Sequence, residues 1–194
     1  MTISNRLSLS TVFCASLLGV AASSYAGLIG STMTANYYYA GGIQQGGYAT
    51  GVVSGSVLGT YSSDRDGLHG AIYRVSVTDT QVILDFSVNQ NGLFTWTTSI
   101  LSLDAGGLVV NNGTALFFTG APEITSVSLD ALSNMGGLDA SRITFNGSAV
   151  AINWYGLSFD NNTRVVLNVN SVPAPGALAL LGAVGLVGSR RRRD

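Results

Sequence analysis

Strict alternation of apolar and polar residues is the feature that most constrains the fold of this chain. In AIYRVSVT (71–78) every second residue from Ala71 to Val77 is apolar, and VILDFSV (82–88) repeats the pattern. A period of two places alternate side chains on opposite faces of a β-strand. The short connection Asp79-Thr80-Gln81 therefore predicts that the two segments form an antiparallel hairpin.

Further strands are predicted along the rest of the chain, at 94–103, 115–118, 124–129, 142–145, 149–155 and 164–169. Turn residues separate them at Asn91-Gly92, Asn111-Asn112-Gly113, Gly136-Gly137, Asn146-Gly147 and Asp160-Asn161-Asn162. We therefore predict a mainly β protein with an antiparallel β-sandwich or jelly-roll-like body, flanked by an N-terminal signal helix and a C-terminal short transmembrane helix. The Gly- and Tyr-rich segment 27–61 is less clearly patterned, although SVLGTY (56–61) could be another strand, and we expect the segment to form an edge of the sheet or to be partly mobile.

The charge composition narrows the class of partner. Only 10% of the residues are charged, lysine is absent, and the body from Gly27 to Pro175 carries four arginines against nine acids. An acidic body makes nucleic acid an unsuitable partner. Its surface must be covered mainly by Ser, Thr, Asn and Gly, which favours an extracellular β protein.

The N-terminus has the organisation of a secretory signal peptide, predicted over residues 1–26. Arg6 supplies the positive charge, an apolar run covers roughly Val12 to Ala22, and Ser24-Tyr25-Ala26 offers small residues to signal peptidase. We predict cleavage between Ala26 and Gly27. The alternative, a membrane anchor, is disfavoured because the run is shorter than the ~20 residues that span a bilayer. The only cysteine, Cys14, lies inside this segment, so the body must fold without disulfides.

Residues that could carry chemistry are few, and we predict no catalytic, cofactor-binding or metal-binding residues. The densest polar cluster, SSDRDGLHG (62–70), contains Asp64, Asp66 and the single histidine, His69. It lacks the ligand count of a calcium loop, so a solvated turn is predicted there. The run Tyr37-Tyr38-Tyr39 and nearby Tyr48 could offer aromatic faces to sugar rings, but tyrosines on a sheet with one packed and one wet face are the favoured explanation, and no binding site is assigned there.

The C-terminal tail combines three features. Pro173 and Pro175 keep the chain extended, an apolar stretch runs from Gly176 to Ser189, and four arginines follow: Arg190, Arg191, Arg192 and Arg193. A helix of this length would cross the hydrocarbon core only with snorkelling or local thinning. The arginines obey the positive-inside rule and are predicted to retain the extreme C-terminus in the cytoplasm. The tail is therefore predicted to be a sorting device.

This arrangement of motif, short apolar helix and arginine cluster resembles the PEP-CTERM sorting domain of Gram-negative bacteria. The sorting motif would be Val172, Pro173, Ala174, Pro175 and Gly176, with alanine where the family usually has glutamate. The resemblance implies processing by an exosortase, a membrane protease, and an association with exopolysaccharide and biofilm material. It covers the tail (172–194) and implies nothing about the chemistry of the body (27–171).

These expectations combine into one prediction of function. The chain is expected to be a non-enzymatic surface or matrix protein that is exported, anchored transiently in the inner membrane and then sorted to the cell surface or extracellular matrix. Its expected partners are signal peptidase, an exosortase-like protease, the inner membrane and extracellular polysaccharide. Two alternatives remain open: a carbohydrate-binding module that uses tyrosines, Trp96 or Trp154, and a secreted hydrolase.

Overall fold

A computed structural model of the protein describes residues 27–62, 71–89, 92–98 and 101–172. The predicted signal segment up to Ala26, the turn with Asp64, Asp66 and His69, and the tail from Pro173 onward lie outside these ranges. No helix within them has the length and apolar character that crossing a bilayer requires.

The described residues are dominated by β-strands of 2 to 11 residues. In chain order the strands are β1 (Thr32–Tyr39), β2 (Gly42–Val52), β3 (Val57–Ser62), β4 (Ile72–Val77), β5 (Gln81–Asp85), β6 (Phe94–Thr95), β7 (Leu103–Asp104), β8 (Val109–Val110), β9 (Asn112–Thr119), β10 (Glu123–Leu129), β11 (Ile143–Asn146), β12 (Ala149–Asn153), β13 (Ser158–Phe159) and β14 (Arg164–Val172). A short 3-10 helix, Ala140–Arg142, precedes β11. The predicted mainly β class is confirmed.

Ten strands form one antiparallel sheet, in the order β10–β14–β5–β4–β3–β2–β1–β9–β12–β11. Its two outer strands approach each other, and the Ile124 N–H donates to the Gly147 carbonyl oxygen at 2.9 Å beside the gap. The sheet is therefore nearly closed. A sandwich or jelly roll would divide the strands between two sheets, whereas here the hydrogen bonding continues through all ten. Alternation identifies the buried face of each strand but not its neighbours, so it could not specify the strand order beneath the predicted sandwich or jelly roll.

The predicted hairpin is confirmed in β4 and β5. Val77 pairs with Val82, and the turn residues Asp79 and Thr80 connect the two strands. The Thr78 N–H donates to the Gln81 carbonyl oxygen at 2.9 Å, which closes the turn.

The N-terminal segment differs from the prediction of an edge or partly mobile region. It forms β1, β2 and β3, and β1 lies inside the sheet between β2 and β9. Bulges in the β1–β2 pairing, on either side of Tyr37, interrupt the alternation of side chains. Those irregularities explain why the sequence pattern was weak there.

The predicted turn at Asn111-Asn112-Gly113 is also wrong, because Asn112 and Gly113 begin β9. Asn112 is fully buried and pairs with Tyr39 of β1. A Cβ at Gly113 would lie 1.9 Å from the Ile152 carbonyl oxygen, so the glycine is needed for a close approach between strands. Among the described residues of the predicted strand 94–103, which are 94–98 and 101–103, Phe94–Thr95 and the start of β7 at Leu103 are strand.

The core inside the sheet is divided along its length. We call the end that holds Gly27 and Val172 the terminal end, and it is filled mainly by aliphatic side chains: Leu28, Met33, Val53, Val77, Val82, Phe118, Ile124 and Val169. The opposite end, the aromatic end, is packed with rings: Tyr37, Tyr48, Tyr61, Tyr73, Phe86, Phe94, Trp96, Trp154 and Phe159. The β6–β13 ribbon contributes Phe94 and Phe159 to the aromatic end.

A second, smaller cluster lies on the outer surface of the sheet. The β7–β8 hairpin places Leu108 and Val110 against Tyr38 and the alanines of β9 and β12. Small residues on the sheet let the hairpin approach closely, and the hairpin shields this outer face from water.

Candidate functional site

Both ends of the body meet at one turn of the sheet, the β4–β5 connection. The Leu28 N–H donates to the Asp79 carbonyl oxygen at 2.9 Å, and the Val169 N–H donates to the Thr80 carbonyl oxygen at 2.8 Å. Leu28, the second described residue, and the last strand are therefore held by adjacent residues of the same turn. This juncture is the candidate site, because the predicted signal segment ends and the predicted sorting tail begins there.

The chain is anchored immediately after the predicted cleavage point. Leu28 is completely buried in the core of the terminal end. The Ser31 hydroxyl donates to the Leu28 carbonyl oxygen at 2.6 Å. The Gly30 N–H donates to the Val53 carbonyl oxygen at 2.9 Å, and the Val53 N–H donates to Ser31 at 2.8 Å. Residues 27–31 are thus part of the folded body.

Gly27 lies directly against the carboxylate of Asp79. A Cβ at position 27 would be 2.1 Å from Asp79 Oδ1 and 2.5 Å from Oδ2, distances that no side chain could occupy without displacing the carboxylate. The same Oδ1 accepts a hydrogen bond from the Ile29 N–H at 3.3 Å. Asp79 therefore contacts the segment that follows Ala26 through both its main chain and its side chain.

Of the predicted sorting motif, only Val172 is described. It is the last residue of β14, pairs with Glu123 of β10 and is 48% exposed. Ala174, Gly176 and the arginines Arg190 to Arg193 lie in the tail outside the described ranges. The predicted boundary between body and tail thus falls at the last residue of the final strand.

The aromatic candidates for sugar binding lie in the core. Trp154 is fully buried, and Trp96, Tyr37 and Tyr38 are nearly so. The two indole rings stack with centroids 6.2 Å apart. Neither indole N–H has a hydrogen-bond acceptor. These rings present no open face to solvent, so they stabilise the fold.

Hydroxyl groups inside the aromatic end form a buried network that the sequence did not predict. Tyr73 and Thr114 share a short hydrogen bond, and the Tyr48 hydroxyl lies 3.2 Å from Tyr73 and 3.1 Å from Thr114. The Tyr37 hydroxyl donates to Asn112 Oδ1 at 2.5 Å. Burial raises the pKa of Tyr37, Tyr48 and Tyr73 well above the ordinary value of a phenol. They remain protonated donors throughout the physiological range.

Most of the described aspartates accept hydrogen bonds within their own turns. Carboxylate oxygens of five of them accept a hydrogen bond from a backbone N–H two or three residues later: Asp85, Asp104, Asp130, Asp139 and Asp160. These bonds, with those from Asn168, Ser141 and Thr163, lower the pKa of Asp130, Asp139 and Asp160 below the ordinary carboxyl value. Asp79 differs because its partner, Ile29, lies 50 positions away. Within the described ranges no three His, Cys, Asp or Glu side chains are grouped as metal ligands would be.

One tyrosine does face solvent, next to an arginine. Tyr155 is 40% exposed, and the Arg142 guanidinium lies 4.8 Å from the centre of its ring. Arg142 Nη1 also donates to the Tyr155 carbonyl oxygen at 2.8 Å. The pair forms a small amphipathic surface that sequence patterning could not distinguish from the buried tyrosines.

Comparison with protein-family models, with curated proteins and with solved structures gives no significant match.

Proposed function

We propose that this protein is a non-enzymatic surface or extracellular-matrix protein that is exported, held transiently in the inner membrane by its C-terminal tail and sorted by an exosortase-like protease. The tail's resemblance to PEP-CTERM sorting domains indicates the route. Signal peptidase would first release the body at Ala26–Gly27, and the sorted protein would then associate with extracellular polysaccharide.

The observation that carries this proposal is the common position of Gly27 and Val172. Both lie at the terminal end of the sheet, where Leu28 bonds to Asp79, Val169 bonds to Thr80, and β14 continues from Val169 to Val172 beside β10. A body attached to a membrane first through its N-terminus and then through its C-terminus could keep one orientation throughout.

A non-enzymatic role is supported by how the acidic side chains are used. Asp85, Asp104, Asp130, Asp139 and Asp160 accept hydrogen bonds within their own turns. Carboxylates engaged in this way stabilise turns and are not free to converge on a substrate.

The test replaces all four arginines of the tail with serine. Each arginine gains about 1 kcal/mol at an anionic membrane surface, and moving one through the core costs about 3 kcal/mol or more. Without them the apolar stretch should pass through the membrane, leaving full-length protein in the medium. Mass spectrometry of the C-terminus measures the outcome, with trimming near Pro175 expected only in the parent.

A matched control removes exposed arginines from the body instead, as Arg74→Ser with Arg164→Ser. That variant should be trimmed and localised like the parent. If the tail variant were also trimmed near Pro175 and retained, the arginines would not be a retention signal and the sorting proposal would fail.

A carbohydrate-binding module is the second candidate, and one observation favours it. The exposed ring of Tyr155 beside Arg142 could stack on a sugar, since an aromatic face and a neighbouring cation suit an acidic saccharide. Pull-down of the processed protein on immobilised acidic polysaccharide, compared with Tyr155→Ala, tests this function. Equal retention of the two proteins would exclude Tyr155 as the binding residue.

A further inference from the structure

We infer that Asp79 is a receptor for the α-ammonium group that signal cleavage creates on Gly27. The inference rests on the proposed export of the chain and names a site that forms only after processing. Hydrolysis of the Ala26–Gly27 peptide bond consumes one water, whose oxygen joins the new carboxylate of Ala26 and whose two hydrogens convert the amide N–H of Gly27 into an ammonium. The new positive charge appears beside a carboxylate that is already in place.

Distance supports this pairing. Asp79 Oδ1 lies 2.1 Å from the position of a Cβ on Gly27. Because the N–Cα and Cα–Cβ bonds are each about 1.5 Å long, the Gly27 nitrogen lies within about 5 Å of that oxygen. A carboxylate at such a separation favours the ionised form of the amine. The uncleaved chain has a neutral amide at the same nitrogen and gains nothing comparable.

The residue at position 27 fits the same role. Any side chain there would collide with the Asp79 carboxylate, whereas glycine lets the carboxylate lie against the main chain. The Ile29 N–H holds Oδ1 from the other side at 3.3 Å. Asp79 is thus aimed at the N-terminal segment, unlike the aspartates that bond within their own turns.

No other charge competes at this point in the described ranges. The segments packed against residues 27–31 are the β2–β3 connection around Val53 and the β4–β5 turn, and Asp79 is the charged residue that they contain. Glu123 is at the same end of the sheet, but its side chain lies against Gly147. It therefore provides a matched control carboxylate.

The pair links processing to the stability of the juncture. The turn that receives the ammonium also binds Val169 of the last strand through the Thr80 carbonyl oxygen. Cleavage at the N-terminus therefore adds an ion pair to the turn that holds the strand leading into the tail.

The absence of lysine makes the test selective, because the processed chain has a single amine, the α-amino group itself. The full chain is expressed with its own signal segment in a Gram-negative host, and the processed protein is purified from the envelope. Its N-terminal residue is read by mass spectrometry. The pH dependence of the rate of amine acylation then gives the pKa of the α-amino group.

We expect the α-amino pKa of the parent to exceed that of Asp79→Asn by about 0.5 unit, the scale of an exposed ion pair. Gly27→Ala should give the same decrease, since its methyl group displaces the carboxylate. Glu123→Gln should match the parent. Equal pKa values in the parent and in Asp79→Asn, with Gly27 at the N-terminus, would overturn the receptor role and leave the export proposal intact. An N-terminus at another residue would overturn the proposed cleavage and this inference together.

Discussion

The terminal end and the aromatic end of the sheet share the same strands but are stabilised in different ways. The terminal end is closed by Leu28 and by aliphatic residues such as Val53 and Val77, and its buried Ser31 hydroxyl bonds to the Leu28 main chain. The aromatic end combines stacked rings with buried hydroxyl groups that bond to one another, and it includes the fully buried Thr114. One end therefore depends mainly on the burial of apolar surface, whereas the other also depends on hydrogen bonds between buried side chains.

Truncating Trp154 should produce the largest loss of stability among these variants. Such a loss would identify the aromatic end as the main source of the protein's stability. Its ring is fully buried and packs edge-on against Tyr73 and Phe86. We expect Trp154→Ala to lower the free energy of unfolding by about 3–5 kcal/mol, measured by denaturant titration.

Trp154→Phe is the matched control for that variant. It keeps a ring in the site and removes the indole N–H that has no acceptor, so it should cost less than half as much. A loss of unfolding free energy below about 1 kcal/mol for Trp154→Ala would show that packing of the rings contributes little to the stability of the protein.

Leu28→Ala tests the terminal end in the same way. Removing a completely buried leucine should cost about 2–4 kcal/mol, less than the tryptophan because less apolar surface is lost. Ile29→Ala, at a position that is 38% exposed, is the control and should change the free energy of unfolding by less than about 1 kcal/mol. If both variants were neutral, residues 27–31 would not belong to the folded body.

Thr114→Val isolates the hydrogen bonds of the aromatic end from its packing. The substitution keeps the shape but removes the hydroxyl that bonds to Tyr73 and Tyr48, so we expect a loss of about 1–2 kcal/mol. Thr32→Val, an exposed position of β1, should remain within about 0.5 kcal/mol of the parent. Equal effects of the two substitutions would mean that the buried network adds no stability.

The last prediction has the smallest effect on stability at neutral pH and concerns the tyrosines of the aromatic end. Alkaline titration should distinguish this end from the terminal end. The raised pKa values of Tyr37, Tyr48 and Tyr73 should keep these three phenols protonated at about pH 11.5, whereas unfolded tyrosine ionises near 10. Stability should therefore be intact below about pH 10 and fall as pH rises above it, because the unfolded chain releases protons first. Ultraviolet difference absorbance, measured with and without denaturant, counts the tyrosines that do not ionise in the folded protein.

The sequence predicted the parts of this fold that depend on local pattern. Alternation from Ala71 to Val88 identified the β4–β5 hairpin because both strands bury one face, and its turn was read from Asp79-Thr80-Gln81. The position of β1 beside β9 could not be read, because nothing in Met33 or Phe118 specifies the partner across the pair.

The candidate site was only partly accessible from sequence. The pattern before Gly27 predicted a cleavage point, and the tail after Val172 predicted a sorting signal, but neither pattern indicates that the two meet. The role of Asp79 depends on a contact 50 positions away, which no local signal encodes. Asn112 was misread for the same reason: asparagine next to glycine is typical of turns, and only its buried partners reveal a strand.

The placement of β1 between β2 and β9 has a consequence for the order in which the chain can fold. The Tyr37 hydroxyl of β1 bonds to Asn112 of β9, 75 positions later. The neighbours of β9 in the sheet are β1, which is far earlier in the chain, and β12, which comes later. Loops of this length must close before their contacts stabilise anything, so all-β topologies of this type fold in about milliseconds to seconds. A chain synthesised from its amino end therefore carries a β1–β2 hairpin in which the outer edge of β1 stays unpaired until β9 emerges. During that interval the edge of β1 requires protection from other chains.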